Sequence, residues 1–518
     1  MNLFKSILTV GGYTMASRVL GFLRDILIAR VLGTGMVADA FFVSQRFPNL
    51  FRSLFAEGAF NAAFVPQFAR RIEGEGLPAA KEFAEHVLAV MVTVLFVFSV
   101  AAIAGMPWLM YLLAGGYADD PQKFLLCVSL TQITFPYLFF MSLTALQGGV
   151  LNSLHRYAHA AAAPILLNVV MIIALVAVVP LTGVPATTLA WAMTIAGVGQ
   201  FLWMYIACRR AGAGLRLVRP RLGPDVRKLF RLMVPGIIGS GVMQLNLVIG
   251  TQIASWQDSA VSYLYYADRI YQLPLAVIGS AAGVVLLPEL SKHLRAGRDG
   301  DAIQSINRGI ELVLLLTLPA AAALVAISHP IISVLFERGA FTAEDSTATA
   351  LALGIYGVGL PAFVLIKVLT PPFYAREDTA TPFRLAVISM IVNTVLSAAL
   401  FLVVGFAGIA IATVFASWLN IGMLTTKLHR AGYFAADDRL RSRLPRVLAS
   451  AAVMGAALAG LAWLGADALS STAIIRLSTL MGLVVAGLLL YGLTATLLRA
   501  APVDELKATL RRRRAAKE

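Results

Sequence analysis

Long apolar runs alternate with short polar connections along almost the whole chain. Each run has about 20 residues or more, enough to cross about 30 Å of hydrocarbon as a helix. The runs are unbroken and do not show the period of two that is typical of barrel strands. We therefore predict an all-α polytopic membrane protein with about fourteen transmembrane helices. The predicted spans are residues 8–34, 38–68, 83–113, 123–151, 160–181, 185–208, 230–251, 258–291, 308–336, 345–373, 382–404, 407–427, 446–465 and 474–498.

The composition agrees with this pattern. Of the 518 residues, 59% are hydrophobic and 13% are charged, whereas soluble proteins average about 25% charged residues. Cys127 and Cys208 lie in apolar runs, away from the histidines in sequence, so we expect packing roles and no metal site. A soluble globular protein is excluded.

Lys and Arg collect on alternate connections, most densely in residues 209–231 and 427–443. The opposite connections at 115–120 and 465–471 contain neither. Because positive charge marks the cytoplasmic side, both termini are predicted to be cytoplasmic. The net charge of +15 resides mostly in these loops, so we expect contact with anionic membrane lipids and no nucleic-acid partner.

The chain contains an internal repeat. Residues 41–68 match residues 263–290 at a shift of 222, and Gly116 falls on Gly339 at a shift of 223. A shift of six spans preserves direction across the membrane, so the repeat predicts two pseudo-symmetric six-helix lobes. The predicted domains are residues 1–215, residues 216–430, and an extra transmembrane helix pair with a basic cytoplasmic tail at 431–518.

Charged residues inside the spans are the strongest functional signal. A charge at the centre of a membrane helix costs roughly 2.5 to 3.5 kcal/mol, so several together predict a polar cavity. One interpretation is internal pairing, of Arg24 or Arg18 with Asp25, of Arg52 with Glu57 or Asp39, and of Arg269 with Asp268. However, the arginines at depth outnumber the acids, and guanidinium binds phosphate through a bidentate fork. We therefore expect these arginines to converge between the lobes and to bind an anion.

Several motifs resemble a known family. They are SRVLGFLRD at 17–25, ADAFFVSQRFPNLFRSLFAEGAFNAAFVP at 38–66, YYADRIYQLP at 265–274, LFERGAFT at 335–342 and KVLTPPFYAREDTATP at 367–382. Together they resemble the MurJ (MviN) lipid II flippases of bacterial peptidoglycan synthesis. The resemblance extends from residue 1 to about residue 430.

The resemblance implies the multidrug/oligosaccharidyl-lipid/polysaccharide exporter fold, with the last helix pair forming a groove for a polyprenyl tail. It also implies a transporter, not an enzyme, that moves lipid II from the cytoplasmic to the periplasmic leaflet of the inner membrane by alternating access. Cavity arginines would bind the diphosphate. By motif, the implied substrate-binding residues are Arg18, Arg24, Arg52 and Arg269, together with Ser17, Asp25, Asp39, Asn49, Glu57 and Lys367.

We expect no cofactor, function as a monomer, and coupling to Na⁺, H⁺ or the membrane potential, with the choice of driver left open. Alternative functions are a flippase for another polyprenyl-linked glycan and a drug exporter of the same fold. A cation exporter, however, would favour acids over arginines in its cavity. A membrane enzyme acting on polyprenyl substrates would need clustered acids, and the acidic pairs at 119–120 and 437–438 lie in loops.

Overall fold

The computed structural model describes residues 3–55 and 59–500, and within these ranges the regular structure is helical throughout, with no strand. Glu57 and the basic tail at 511–514 lie outside the described residues. The first ten helices are α1 (Leu3–Leu32), α2 (Met36–Phe55), α3 (Ala59–Ala104), α4 (Met106–Ala114), α5 (Pro121–Thr134), α6 (Pro136–Ser153), α7 (Tyr157–Ile173), α8 (Val179–Thr182), α9 (Pro185–Arg210) and α10 (Pro224–Ala254). The others are α11 (Ala260–Arg295), α12 (Asp299–Ala326), α13 (Ser328–Phe336), α14 (Ala343–Leu369), α15 (Pro371–Tyr374), α16 (Ala380–Val404), α17 (Phe406–Arg430), α18 (Asp438–Leu464), α19 (Ala466–Leu469) and α20 (Ala473–Leu497).

The all-helical membrane fold is confirmed. Ten segments in the described part of the chain are long and apolar enough to cross a membrane. They correspond to the predicted spans three to six and nine to fourteen. The other four predicted spans overlap α1, α2, α10 and α11, which are 30, 20, 31 and 36 residues long. The second span, 38–68, is too long, because α2 ends at Phe55 and residues 59–68 belong to α3. The total of fourteen stays a prediction.

Two further predicted boundaries are wrong. The second and third spans were separated at residues 68 and 83, yet helix continues on both sides of Gly76, which interrupts α3 with φ 84° and ψ 170°. Only glycine adopts this conformation readily, so the break falls there and the polar residues around it stay helical. The third span is predicted to reach residue 113, but α3 ends at Ala104 and α4 begins at Met106, after Gly105, with Pro107 in its first turn. Proline at that position favours a new helix start.

The chain folds into two compact units. The first contains Met1–Ser262 and Arg338–Thr342, and the second contains Tyr263–Glu337 and Ala343–Glu518. In the first unit, stacked phenylalanines form a core around Phe64, whose ring centroid lies 5.2 Å from that of Phe60 and 5.4 Å from that of Phe68. Helix α10 packs on α2, α3 and α4 within this unit, although the repeat assigns α10 to the second half of the chain.

In the second unit, charged contacts fasten α18 and α20 at opposite ends. At one end, the almost buried carboxylate of Glu311 in α12 accepts hydrogen bonds from three arginines, Arg308, Arg439 and Arg443. At the other end, Arg476 of α20 donates to the Ser333 carbonyl at 2.8 Å. Apolar contacts around Met454 and Leu480 fill the space between these ends. The extra helix pair is therefore an integral part of the second unit.

Candidate functional site

Arg24 is held inside the first unit by an acid and an amide. Its Nε and Nη2 donate to Asp25 Oδ1 at 3.1 and 2.8 Å, and its Nη1 donates to Asn168 Oδ1 at 3.0 Å. The side chains of Arg24 and Asp25 are 13% and 5% exposed. The alternative of internal pairing, which the sequence left open between Arg24 and Arg18 for Asp25, is therefore observed for Arg24.

Asn168 is a site residue that the sequence analysis missed. It lies on α7 and is 5% exposed, and its Nδ2 donates to the Ser17 carbonyl at 2.9 Å, with a longer 3.4 Å contact to the Ser17 hydroxyl. A signal was present, because Asn168 is the only polar residue in the predicted span 160–181. Its partners lie 144 and 151 residues away in sequence, so the pattern of one span could not identify them.

Arg18 and Arg52 differ in their exposure and in their hydrogen bonds. Arg18 lies on the exposed side of α1 in the first unit, and no hydrogen bond or ion pair joins its side chain to the described residues. Arg52 is half-buried, and its Nε donates to Asn49 Oδ1 at 3.3 Å, so the two residues share a face of α2 as their spacing predicted. The expected pairing of Arg52 with Glu57 falls outside the described residues, because Glu57 does.

Asp39 is fully buried and pairs with Lys123, not with an arginine. Its Oδ2 accepts from Lys123 Nζ at 3.0 Å and from the Ser259 amide at 3.0 Å. Its Oδ1 accepts from the amide and hydroxyl of Ser262 at 3.0 and 2.6 Å. Both carboxylate oxygens are therefore occupied at the start of α2. The alternative in which Asp39 pairs with Arg52 is therefore not observed, because four other donors already surround this acid.

Lys123 was also missed by the sequence analysis. Its side chain is 2% exposed, it donates to Asp258 at 2.9 Å as well as to Asp39, and its Nζ lies 4.1 Å from the centre of the Tyr117 ring. It stands in the first turn of α5, next to a loop, where a solvated lysine is the ordinary expectation. Only the fold brings the two acids to it, from 84 residues before it and 135 residues after it.

Close backbone crossings surround this network at the same end of the first unit. Gly116 donates its amide to the Ser255 hydroxyl at 3.0 Å, and a Cβ at Gly116 would lie 2.6 Å from the Ser255 backbone. Ala340 donates its amide to the Arg30 carbonyl at 2.9 Å, and a Cβ at Gly339 would lie 2.3 Å from that same oxygen. Gly339 also has φ +65°. Glycine is therefore required at both crossings.

We name this end the outer seam. It consists of the α1–α2 connection, the α4–α5 connection, the α10–α11 connection and residues 338–342. The hydrogen bonds described above for the outer seam join residues of the first unit. By the predicted orientation, the outer seam is on the side opposite the basic loops.

The second unit contributes Arg269 and Lys367 to the predicted set. The guanidinium of Arg269 lies 4.5 Å from the centre of the Tyr265 ring, so these two residues share a face of α11 as predicted. The neighbouring Asp268 accepts a hydrogen bond from Gln272. The exposed Lys367 crosses α11 at Gly279, where an added Cβ would lie 2.9 Å from its Cδ.

The potential metal ligands in the described part of the chain are scattered. In the described residues, no three His, Cys, Asp or Glu side chains lie close enough together to hold a metal ion. Both free cysteines are buried. The chemistry available at the site is therefore that of guanidinium, amide and carboxylate groups arranged around membrane helices.

Comparisons with known proteins agree with one another. A family model described as "Lipid II flippase MurJ" matches residues 28–485. A protein of Rhizobium tropici named probable lipid II flippase MurJ is 47% identical over 522 residues, covering 100% of this chain and 98% of that protein. The lipid II flippase MurJ of Burkholderia cenocepacia is 39% identical over 439 residues, covering 84% of this chain and 85% of that protein.

Two solved structures share the fold. A lipid II flippase MurJ in an inward closed conformation matches with a TM-score of 0.75 and 22% identity, covering 94% of this chain and 98% of that structure. An inward-facing multidrug resistance MATE family transporter of the MOP superfamily matches with a TM-score of 0.68 and 13% identity, covering 82% and 98%. The exporter fold expected from the sequence is confirmed.

The buried Asp39–Lys123 pair in the outer seam should contribute to the stability of the protein. Asp39→Asn and Lys123→Met should each lower the thermal midpoint of the detergent-solubilised protein, because each removes one charge of the buried Asp39–Lys123 pair. The double variant should be more stable than the sum of the two losses predicts, by a coupling of about 1 to 3 kcal/mol. Asp258→Asn is the matched control, since the Asp258 side chain is 93% exposed and should matter little. Strictly additive losses would show that Asp39 and Lys123 do not act as a pair.

Proposed function

This chain belongs to the MurJ family of lipid II flippases, and we propose that it moves lipid II across the bacterial cytoplasmic membrane by alternating access. Lipid II carries a diphosphate, a disaccharide-peptide head group and a long isoprenoid tail. Its spontaneous crossing is blocked because the diphosphate would lose its water in the hydrocarbon. A protein that replaces this water with fixed donors, while the tail stays in lipid, removes most of that barrier.

The observation that carries the proposal is the set of arginines on α1 and α2 of the first unit. Arg24 is oriented by Asp25 and Asn168, whereas Arg18 is exposed and has no partner among the described side chains. Arg52 is oriented by neutral Asn49. Since Asp39 is already paired with Lys123, it does not cancel these charges. The exposed guanidinium of Arg18 is suited to binding a diphosphate, next to the oriented groups of Arg24 and Arg52.

Arg269 and Lys367 of the second unit are proposed as further contacts with the substrate. Arg269 rests on an aromatic ring, which supports its planar group without neutralising it. Gly279 leaves room for the stem of Lys367 to lie against α11. Ser17, Asp25 and Asn49 support the arginines in this proposal, because each accepts or donates a hydrogen bond in the contacts described above.

We assign Asp39 a different role from the one that its motif implied. With both carboxylate oxygens occupied and no exposed surface, it holds the outer seam together. Alternating access requires contacts that form in one state and break in the other. The Asp39–Lys123 network is our candidate for such contacts on the periplasmic side.

The basic linker between α9 and α10 is proposed to contact anionic lipid. The Arg216 amide donates to Glu85 Oε1 at 3.0 Å, which fixes this extended segment, while Leu217 and Leu222 are 68% and 57% exposed among arginines. Anionic headgroups attract such a segment by about 1 kcal/mol per basic residue. Replacing Arg216, Arg219 and Arg221 by Gln should reduce co-purification of phosphatidylglycerol. Unchanged retention of phosphatidylglycerol would contradict the proposed contact between the linker and anionic lipid.

The proposal also covers the orientation of the chain in the membrane and the energy source for transport. We propose that both termini are cytoplasmic and that the chain works as a monomer, driven by Na⁺, H⁺ or the membrane potential. Reporter fusions at either terminus test the orientation, and a periplasmic signal from either one would contradict it. Collapsing each gradient in turn in proteoliposomes identifies the driver, and transport that survives all three collapses would exclude coupling.

The function is tested by replacing the flippase of a bacterial host. Depletion of the host's own lipid II flippase should be survived by cells that express this chain, with labelled lipid II appearing on the periplasmic face. If the protein is inserted but growth fails, the substrate is another polyprenyl-linked glycan. Accumulation of a chemically altered lipid instead of a translocated one would indicate an enzyme.

The arginines are tested in the same cells and in proteoliposomes. Arg52→Ala and Arg269→Ala should lower transport at least tenfold while membrane insertion is unchanged, because a charge-assisted bond to the diphosphate is lost. Lysine variants should recover only part of the rate, since an ammonium group lacks the bidentate fork. Lys228→Ala, in the exposed start of α10, is the control and should transport normally. Full transport by both alanine variants would rule out the proposed anion site.

A further inference from the structure

We propose that Asn168 is a positioning residue that sets the orientation of the Arg24 guanidinium for the substrate diphosphate. The inference rests on the proposed role of Arg24 and extends it to a residue on another helix. Asn168 lies near the middle of the membrane span Tyr157–Thr182 and is almost fully buried. A buried amide in such a span is costly unless its hydrogen bonds are made.

The hydrogen bonds of Asn168 fix which way its amide points. Guanidinium only donates, so the atom facing Arg24 Nη1 at 3.0 Å is the amide oxygen. The amide nitrogen then faces the Ser17 carbonyl at 2.9 Å, where only a donor is suitable. Both ends of the amide are therefore matched, and no flipped arrangement satisfies both contacts. The side chain has one orientation.

Close packing of α1 on α7 brings Asn168 to this position. A Cβ at Gly21 would lie 3.5 Å from Asn168 Nδ2, an ordinary contact distance, so the amide lies directly against the Gly21 turn of α1. From there it contacts the Ser17 backbone on one side and Arg24 on the other. Asn168 thus joins two positions of α1 that are seven residues apart, about 10 Å along the helix.

An amide suits this role because it orients the Arg24 guanidinium without neutralising its positive charge. Arg24 already shares its charge with Asp25, whose Oδ1 accepts from both Nε and Nη2. A second carboxylate beside Arg24 would give the region a net negative charge and would repel a diphosphate. The neutral amide oxygen of Asn168 holds Arg24 Nη1 without adding negative charge. A free arginine side chain loses rotamer entropy when a ligand fixes it, so orientation before binding improves affinity.

The test is a double-variant cycle that measures the binding of lipid II to the purified full chain in detergent. Asn168→Leu, which has a similar volume and no polar atoms, should weaken binding about tenfold, the loss expected for one bond to a charged group. Asn168→Asp should weaken it at least as much, because the added charge competes with the diphosphate. In the Arg24→Ala background, Asn168→Leu should not weaken binding further. The thermal midpoint of every variant is measured in parallel.

Each outcome separates this inference from the proposed function. If Arg24→Ala binds lipid II as tightly as the unmodified chain, the proposed role of Arg24 fails. If Arg24→Ala weakens binding but Asn168→Leu does not, only the positioning role fails. Equal weakening by Asn168→Leu in both backgrounds would show a purely structural effect and would also overturn it. If Asn168→Leu does not fold, Asn168→Ala replaces it in the same cycle.

Discussion

The cost of burying charge among membrane helices is the constraint on which this structure depends. An ionised group that is buried there away from water needs a partner, because hydrocarbon offers none. Arg24 is met by Asp25 and by Asn168 of α7, and Asp39 is met by Lys123 of α5. Asp25 is a neighbour on the same helix, but Asn168 and Lys123 come from other helices, so these contacts form only when the helices are packed together. Packing of the helices of the first unit therefore also brings the site residues into contact.

The internal repeat explains the form of the outer seam. Gly116 and Gly339 occupy equivalent places in the two copies, and each crosses the end of a helix from the other copy. Gly116 meets Ser255 after α10, whereas Gly339 meets Arg30 near the end of α1. The shift of 222 residues places Ser255 over Gly33, which itself approaches Ala340. The crossings are thus reciprocal, which accounts for α10 and residues 338–342 belonging to the first unit.

The sequence predicted the fold well because apolar length alone determines which segments can span a bilayer. Pairing of Arg24 or Arg18 with Asp25 was one alternative that the sequence left open, and the structure selects Arg24. Sequence analysis missed Lys123 and Asn168 because their importance comes from contacts across 84 and 144 residues. The helix ends at Gly76 and Gly105 were missed because hydropathy does not detect a backbone break. Convergence of Arg269 with the arginines of the first unit stays a prediction.

The central claim is that the protein recognises its substrate through the diphosphate, using arginines that are oriented before it binds. The most direct measurement is competition against labelled lipid II by three lipids with the same prenyl chain, bearing a diphosphate, a monophosphate or an alcohol. The account predicts that the diphosphate competes best and the alcohol at least tenfold more weakly, because only charged oxygens satisfy the guanidinium groups. Equal competition by the alcohol and the diphosphate would assign recognition to the tail and contradict the account.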